Sequence, residues 1–207
     1  MLFDFKNKLV FLATPKAAST SIEKMLIDIP KIGSLSGTNK LKHASFDQFV
    51  QIRGPLNVYD FTTWCVVRHP VDKAISWFNY RSRKQAKHTN RYLGDTSFAE
   101  YLLSLEAGEH KKMDDTIFVS SKDGQRADLI FDLDDTKQWQ AFLNQVYGIE
   151  KNLHMNRSSK QGRRYMPTEE EMAVLKDLLK LESEHYETLN KTTARQAIQY
   201  LADRGKS

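Results

Sequence analysis

The residues Thr14-Pro-Lys-Ala-Ala-Ser-Thr-Ser21 could grip a phosphate-like anion. They follow an apolar run, Leu9 to Ala13, and lead into a helical pattern from Ser19 to about Ile29, which Pro30 stops. Backbone N–H groups in a tight turn and at a helix N-terminus point outward together, and the helix dipole adds partial positive charge. Ala17, Ala18 and Ser19 are small enough for close backbone approach. Lys16 brings a full charge, and Thr20 and Ser21 bring hydroxyl donors. The order of residues is not that of the nucleoside-triphosphatase phosphate loop, which needs two glycines and ends in Gly-Lys-Ser/Thr.

A second unit of the same kind runs from Trp64 to Phe78. Thr62 to Val67 is a β-rich apolar run, and Pro70 suits the first turn of a helix, where its missing N–H costs nothing. Arg68 then stands at the carboxyl end of a strand, with Ser76 about two turns into the next helix. Ligands of open α/β sheets bind at the carboxyl ends of strands, so both units can face one ligand.

Together the two segments resemble the sulfotransferases that use 3′-phosphoadenosine 5′-phosphosulfate (PAPS), and the carbohydrate-type, family 2-like branch most of all. Thr14 to Ser21 is similar to the family's 5′-phosphosulfate loop, with alanines where a glycine is more usual. Arg68, Pro70 and Ser76, with the serine eight residues after the arginine, are similar to its 3′-phosphate motif. The resemblance implies that Lys16, Ala17, Ala18, Ser19, Thr20 and Ser21 hold the phosphosulfate end, while Arg68 and Ser76 hold the ribose 3′-phosphate. It implies sulfuryl transfer from PAPS to a hydroxyl or amine, with a carbohydrate among the candidate acceptors, and Lys16 stabilising the leaving oxygen. Sulfuryl groups carry less charge than phosphoryl groups, so a lysine and backbone amides can replace a metal ion, and no metal site is expected.

His43, between the two motifs, resembles the histidine that serves as base in several carbohydrate sulfotransferases. A histidine near its ordinary pKa can take a proton at neutral pH; the competing reading is a loop or capping histidine. His154 is a second candidate base, and His69 is expected to be structural. Lys160, Gly162 and Arg163, in His154-Met-Asn-Arg-Ser-Ser-Lys-Gln-Gly-Arg-Arg164, resemble a late loop that closes over the 3′-phosphate. A solvated basic loop explains them equally well. Asp60 and the cluster Asp132-Leu-Asp-Asp135 read as a strand-start residue and a helix start, not as metal ligands.

The elements that must position these residues follow from pattern. The chain has 207 residues, 40% of them hydrophobic, which suits one globular domain over 1–207 with a sheet covered on both faces. Strands separated by helices imply α/β architecture, here a three-layer P-loop-like fold with a central parallel sheet flanked by helices. Residues 31–42 read as a loop. Helices are expected from Phe46 to Ile52 behind Ser45, from Pro70 to about Lys87, from Thr96 and from Asp134 to Tyr147. A long one follows Thr168 with Glu171 completing a capping box, and a last one covers Thr193 to Arg204. Thr116 to Ser120 and Leu129 to Phe131 are strand candidates. Cys65 cannot form an internal disulfide, being the single cysteine, and reads as a core thiol.

No apolar run nears the ~20 residues of a membrane span, and no signal peptide is visible, so a cytoplasmic protein is expected. The charge of +5 suits a polyanionic donor; no signature of nucleic-acid binding accompanies it. Two alternatives stand beside sulfuryl transfer: a P-loop small-molecule kinase using Mg²⁺ and ATP, and a non-catalytic nucleotide- or polyanion-binding protein on the same fold.

Overall fold

A computed structural model of the chain describes residues 1–34, 42–83, 86, 92–150 and 165–205. The strands are β1 (Leu2–Asp4), β2 (Leu9–Leu12), β3 (Ile32–Ser34), β4 (Thr62–Val67) and β5 (Leu129–Asp132). The helices are α1 (Ser19–Leu26), α2 (Phe46–Arg53), α3 (Pro70–Arg81), α4 (Phe98–Glu106), α5 (Thr116–Val119), α6 (Thr136–Tyr147), α7 (Glu169–Leu178), α8 (Lys180–Glu187) and α9 (Ala194–Arg204), with a 3-10 turn at Glu109–Met113. Contacts divide the chain into two compact units, one of Met1–Arg68, Thr116–Met155 and Leu189–Ser207, the other of His69–Asp115 and Asn156–Thr188. No helix among the described residues is long and apolar enough to cross a membrane.

The first unit holds a five-stranded sheet in the order β3-β1-β2-β4-β5. β2, β4 and β5 are parallel, with Leu9 opposite Thr62 and Trp64 opposite Leu129. The expected parallel sheet is therefore its inner part only: β1 runs antiparallel to both β2 and β3. The cause is chain length. Only Phe5 to Lys8 separates β1 from β2, enough for a hairpin and far too little for a crossover. The Asp4 carboxylate closes that turn by accepting from the amides of Lys6 and Asn7 at 2.9 and 3.0 Å.

All six residues of β4 are buried, the continuous apolar run of a strand covered on both faces. On one face Phe11, Trp64, Val66, Leu129 and Phe131 pack with Ile22 and Leu26 of α1, Trp139 and Phe142 of α6 and Ala197 of α9. Phe11 and Phe142 sit 4.4 and 5.2 Å from the Trp64 ring. Cys65, fully buried in the middle of β4, is a core thiol.

The second unit buries Val71, Ala74, Ile75 and Phe78 of α3 against Phe98, Tyr101, Leu102 and Leu105 of α4 and Leu175 of α7. Among the described residues capping boxes start four helices: Ser45 with Gln48, Ser97 with Glu100, Thr168 with Glu171 and Thr193 with Gln196.

Several expected boundaries move. The long helix after Thr168 is two helices meeting at Leu179, whose φ of −106° leaves the helical region. α3 stops at Arg81, where the Ser82 hydroxyl donates to the Phe78 carbonyl at 2.9 Å; Lys87 lies outside the described residues. α6 starts at Thr136, with Asp134 held instead in a turn by the Asp132 carboxylate, 2.9 Å from its amide. Residues 32–34, expected in a loop, form β3, and Thr116 to Val119, expected as strand, form one helical turn. The Ser120 amide closes that turn on the Thr116 carbonyl at 2.8 Å.

Candidate functional site

Between β2 and α1 the chain turns through Ala13 to Ala18. Thr14 pins this turn from inside: it is fully buried, its amide donates to the Leu12 carbonyl at 3.1 Å, and its hydroxyl donates to the Val66 carbonyl of β4. Lys16 and Ala18 both take left-handed backbone, with φ of 64° and 56°. An L-residue there costs about 1–2 kcal/mol relative to right-handed backbone, and no glycine is present to relieve it. The return is geometric. Ala18, left-handed and followed by helix, curls successive N–H groups into a concave nest of the kind that binds anions.

The first amides of α1 to find helical acceptors are Ser21 and Ile22, both on the Ala18 carbonyl at 2.9 and 3.0 Å. The amides of Ser19 and Thr20 precede them at the positive end of the helix dipole, where no helical carbonyl is available. Thr20 is exposed, whereas Ser19, Ser21 and Ala17 are buried. The Ala17 methyl lies in the core with Ile22 and Trp64. Anything Ala17 gives a ligand therefore comes from its backbone. Replacing Ala18 by glycine should stabilise the protein by up to about 1 kcal/mol, the left-handed strain relieved less the extra freedom of glycine in the unfolded chain. Urea denaturation midpoints of the two proteins check this.

Arg68 follows the last residue of β4. Its Nη1 donates to the Lys16 carbonyl at 3.3 Å, so the two residues named for opposite ends of one nucleotide sit together at the carboxyl ends of neighbouring parallel strands. Ser76 stands half-buried in α3, within the second unit. His69 caps α3 by accepting from the Val71 amide at 3.3 Å, and its ring meets Tyr186 at 5.2 Å, a structural role as expected. His154, Lys160, Gly162 and Arg163 lie outside the described residues.

His43 is exposed at the residue level, but its Nδ1 turns inward to within 2.6 Å of the Ala13 carbonyl. A carbonyl can only accept, so neutral His43 carries its proton on Nδ1 and presents the lone pair of Nε2. The partly enclosed ring is harder to charge than a free imidazole, and this desolvation pulls its pKa below the ordinary value. The charges of Lys42 and the Met1 α-amino group act in the same direction, against the Ala13 carbonyl and Glu23.

Glu23, unforeseen from the sequence, takes the Lys42 ammonium at 3.1 Å, and Lys42 Nζ also lies 3.4 Å from the Thr20 hydroxyl. The spacing of Thr20 and Glu23, three apart on one helix, puts both on one face and is the signal that could have found it. Among the described residues no three His, Cys, Asp or Glu side chains gather as a metal site.

These features gather at the carboxyl ends of β2 and β4: a nest of amides, Lys16, Arg68 and an imidazole with a fixed tautomer. The model of the Sulfotransferase family matches residues 1–203, and the chain belongs to that family. No curated protein and no solved structure matches it.

Proposed function

We propose that this member of the sulfotransferase family transfers a sulfuryl group from PAPS to an acceptor hydroxyl or amine, a carbohydrate being the leading acceptor class, on a three-layer P-loop-like domain. The observation that supports this most is the hydrogen bond from Arg68 to the Lys16 carbonyl. It joins a nest of N–H donors to a guanidinium, and a nucleotide with phosphates at both ends of its ribose needs both. Small side chains and left-handed backbone at the loop suit a bulky anion.

PAPS supplies an activated sulfur–oxygen bond whose rupture leaves adenosine 3′,5′-bisphosphate. The protein's part is positioning and electrostatics, as in phosphoryl transfer through a loose transition state. Nε2 of His43 takes the proton of the acceptor hydroxyl as its oxygen forms the new bond to sulfur. The ammonium of Lys16 neutralises the charge arriving on the departing phosphate oxygen. Amides of the loop and of Ser19 and Thr20 bind the 5′ end, and Arg68 binds the 3′-phosphate with a fork of N–H donors, Ser76 adding its hydroxyl. Lys160, Gly162 and Arg163 are assigned to the 3′-phosphate as well.

Adenosine 3′,5′-bisphosphate without divalent metal should raise the melting temperature. At a hundred times its Kd the stabilisation amounts to about 2.7 kcal/mol. Equal or greater stabilisation by Mg²⁺-ATP would count for a kinase, and binding with no transfer to any sugar, phenol, alcohol or amine would count for a non-catalytic protein.

A further inference from the structure

Lys73 lies on α3, one turn before Ser76, and it is an anomaly there. The inward face of this helix is otherwise apolar, Val71, Ala74, Ile75 and Phe78, yet the Lys73 side chain is 0% exposed. Its ammonium meets the Asp115 carboxylate, itself 2% exposed, at 2.6 Å. A buried pair of this kind seldom adds stability over apolar side chains of the same volume, because taking both charges out of water offsets their attraction. What it adds is a single register. An apolar helix face can rotate or slide between packings of similar energy; a charge pair satisfies only one of them.

The segment that carries Asp115 is itself held to α8. Asp114, next in the chain, accepts from Nδ1 of His185 on α8 at 3.0 Å, and His110 of the 3-10 turn lies 3.8 Å from Glu182 on the same helix. α3 is thus clamped to a segment that α8 holds in turn.

We infer that Lys73 is a positioning residue: its buried pair with Asp115 fixes the rotation of α3 and thereby the Ser76 hydroxyl that the reading above assigns to the 3′-phosphate of the donor. The inference rests on that reading. Hydrogen-bond donors in such sites act within about half an ångström of their productive place, and Ser76, three residues along the same helix, moves with Lys73.

The test is calorimetric binding of adenosine 3′,5′-bisphosphate and of adenosine 5′-phosphate, which lacks the 3′-phosphate. The proteins are wild type, Ser76→Ala, the paired variant K73M/D115L, and the paired variant carrying S76A as well. Lys73→Met alone strands a buried carboxylate and endangers folding, whereas the paired variant removes both charges and leaves two apolar side chains in their place. The paired variant should bind the bisphosphate roughly tenfold more weakly, the loss of one hydrogen bond to a charged group, and bind the 5′-phosphate as before. Adding S76A to it should cost nothing further.

A merely structural pair would lower the melting temperature and leave the preference for the bisphosphate intact. That result, or an S76A penalty as large in the paired variant as in wild type, overturns the inference while the donor reading stands. A wild-type protein with no preference for the bisphosphate overturns the donor reading, and this inference with it.

Discussion

Lys16→Ala should lower the rate of the proposed sulfuryl transfer at saturating PAPS on the order of a hundredfold or more, the loss expected when a donor aimed at developing charge is removed. Alanine is the informative replacement because of the backbone. Lys16 sits at φ of 64°, and alanine pays the same left-handed strain, so the turn and its amides stay where they are and only the charge is lost. Glycine would relax the turn and confuse the reading. Single-turnover kinetics with pre-bound donor separates this from binding: the rate constant should collapse while the Kd for adenosine 3′,5′-bisphosphate, which the proposal assigns also to Arg68 and the loop amides, rises much less. A Lys16→Ala protein that transfers at the wild-type rate would remove the leaving-group role.

The two strand-turn-helix units were legible because each is a local affair. An apolar run, small residues and hydroxyls before a helical period specify strand, turn and helix within about ten residues, and β2-turn-α1 and β4-turn-α3 follow that pattern. Capping residues were legible for the same reason, as at Ser45 and at Thr168 with Glu171. Short elements were not. Leu2 to Asp4 and Ile32 to Ser34 are three residues each, too few to show a period, and the turn between β1 and β2 uses Lys8 at φ of 53° where a glycine would have announced it. Thr116 to Val119 has the β-branched composition of a strand but closes one helical turn, because four residues carry no decisive period. Leu179 breaks a helix with neither proline nor glycine to mark it.

Within the site, what escaped the sequence were contacts between distant segments. The Arg68 bond to Lys16 spans 52 positions and that of His43 to Ala13 spans 30. Local pattern contains neither. Residue types at the site could be named from their chemistry. The partners that set their tautomer, charge and orientation, such as Ala13 and Glu23, come from the packing of the sheet.

That packing makes the pH dependence of transfer a direct test of His43. Its pKa in the folded protein lies below the ordinary value near 6.5, chiefly through desolvation, so at neutral pH the basic form of the imidazole is the majority. The rate should hold level through neutrality and fall on the acid side, with a midpoint lower than that of a free histidine. His43→Ala should lose roughly a hundredfold or more, the usual worth of a positioned base, and lose the acid limb with it, while Kd for adenosine 3′,5′-bisphosphate stays close to wild type.

The neighbouring charges give the sign of two further shifts. Lys42 lowers the pKa and Glu23 raises it, so Lys42→Met moves the acid midpoint up and Glu23→Gln moves it down. Stability follows the same proton. Because folding depresses this pKa, the unfolded chain binds the proton first, and the His43 contribution is complete above the unfolded value. It is lost as pH falls from about 6.5 through the folded value. A His43→Ala protein that kept both the rate and the acid limb would strip the imidazole of its role as base and leave the Nδ1 bond to Ala13 as no more than a loop anchor.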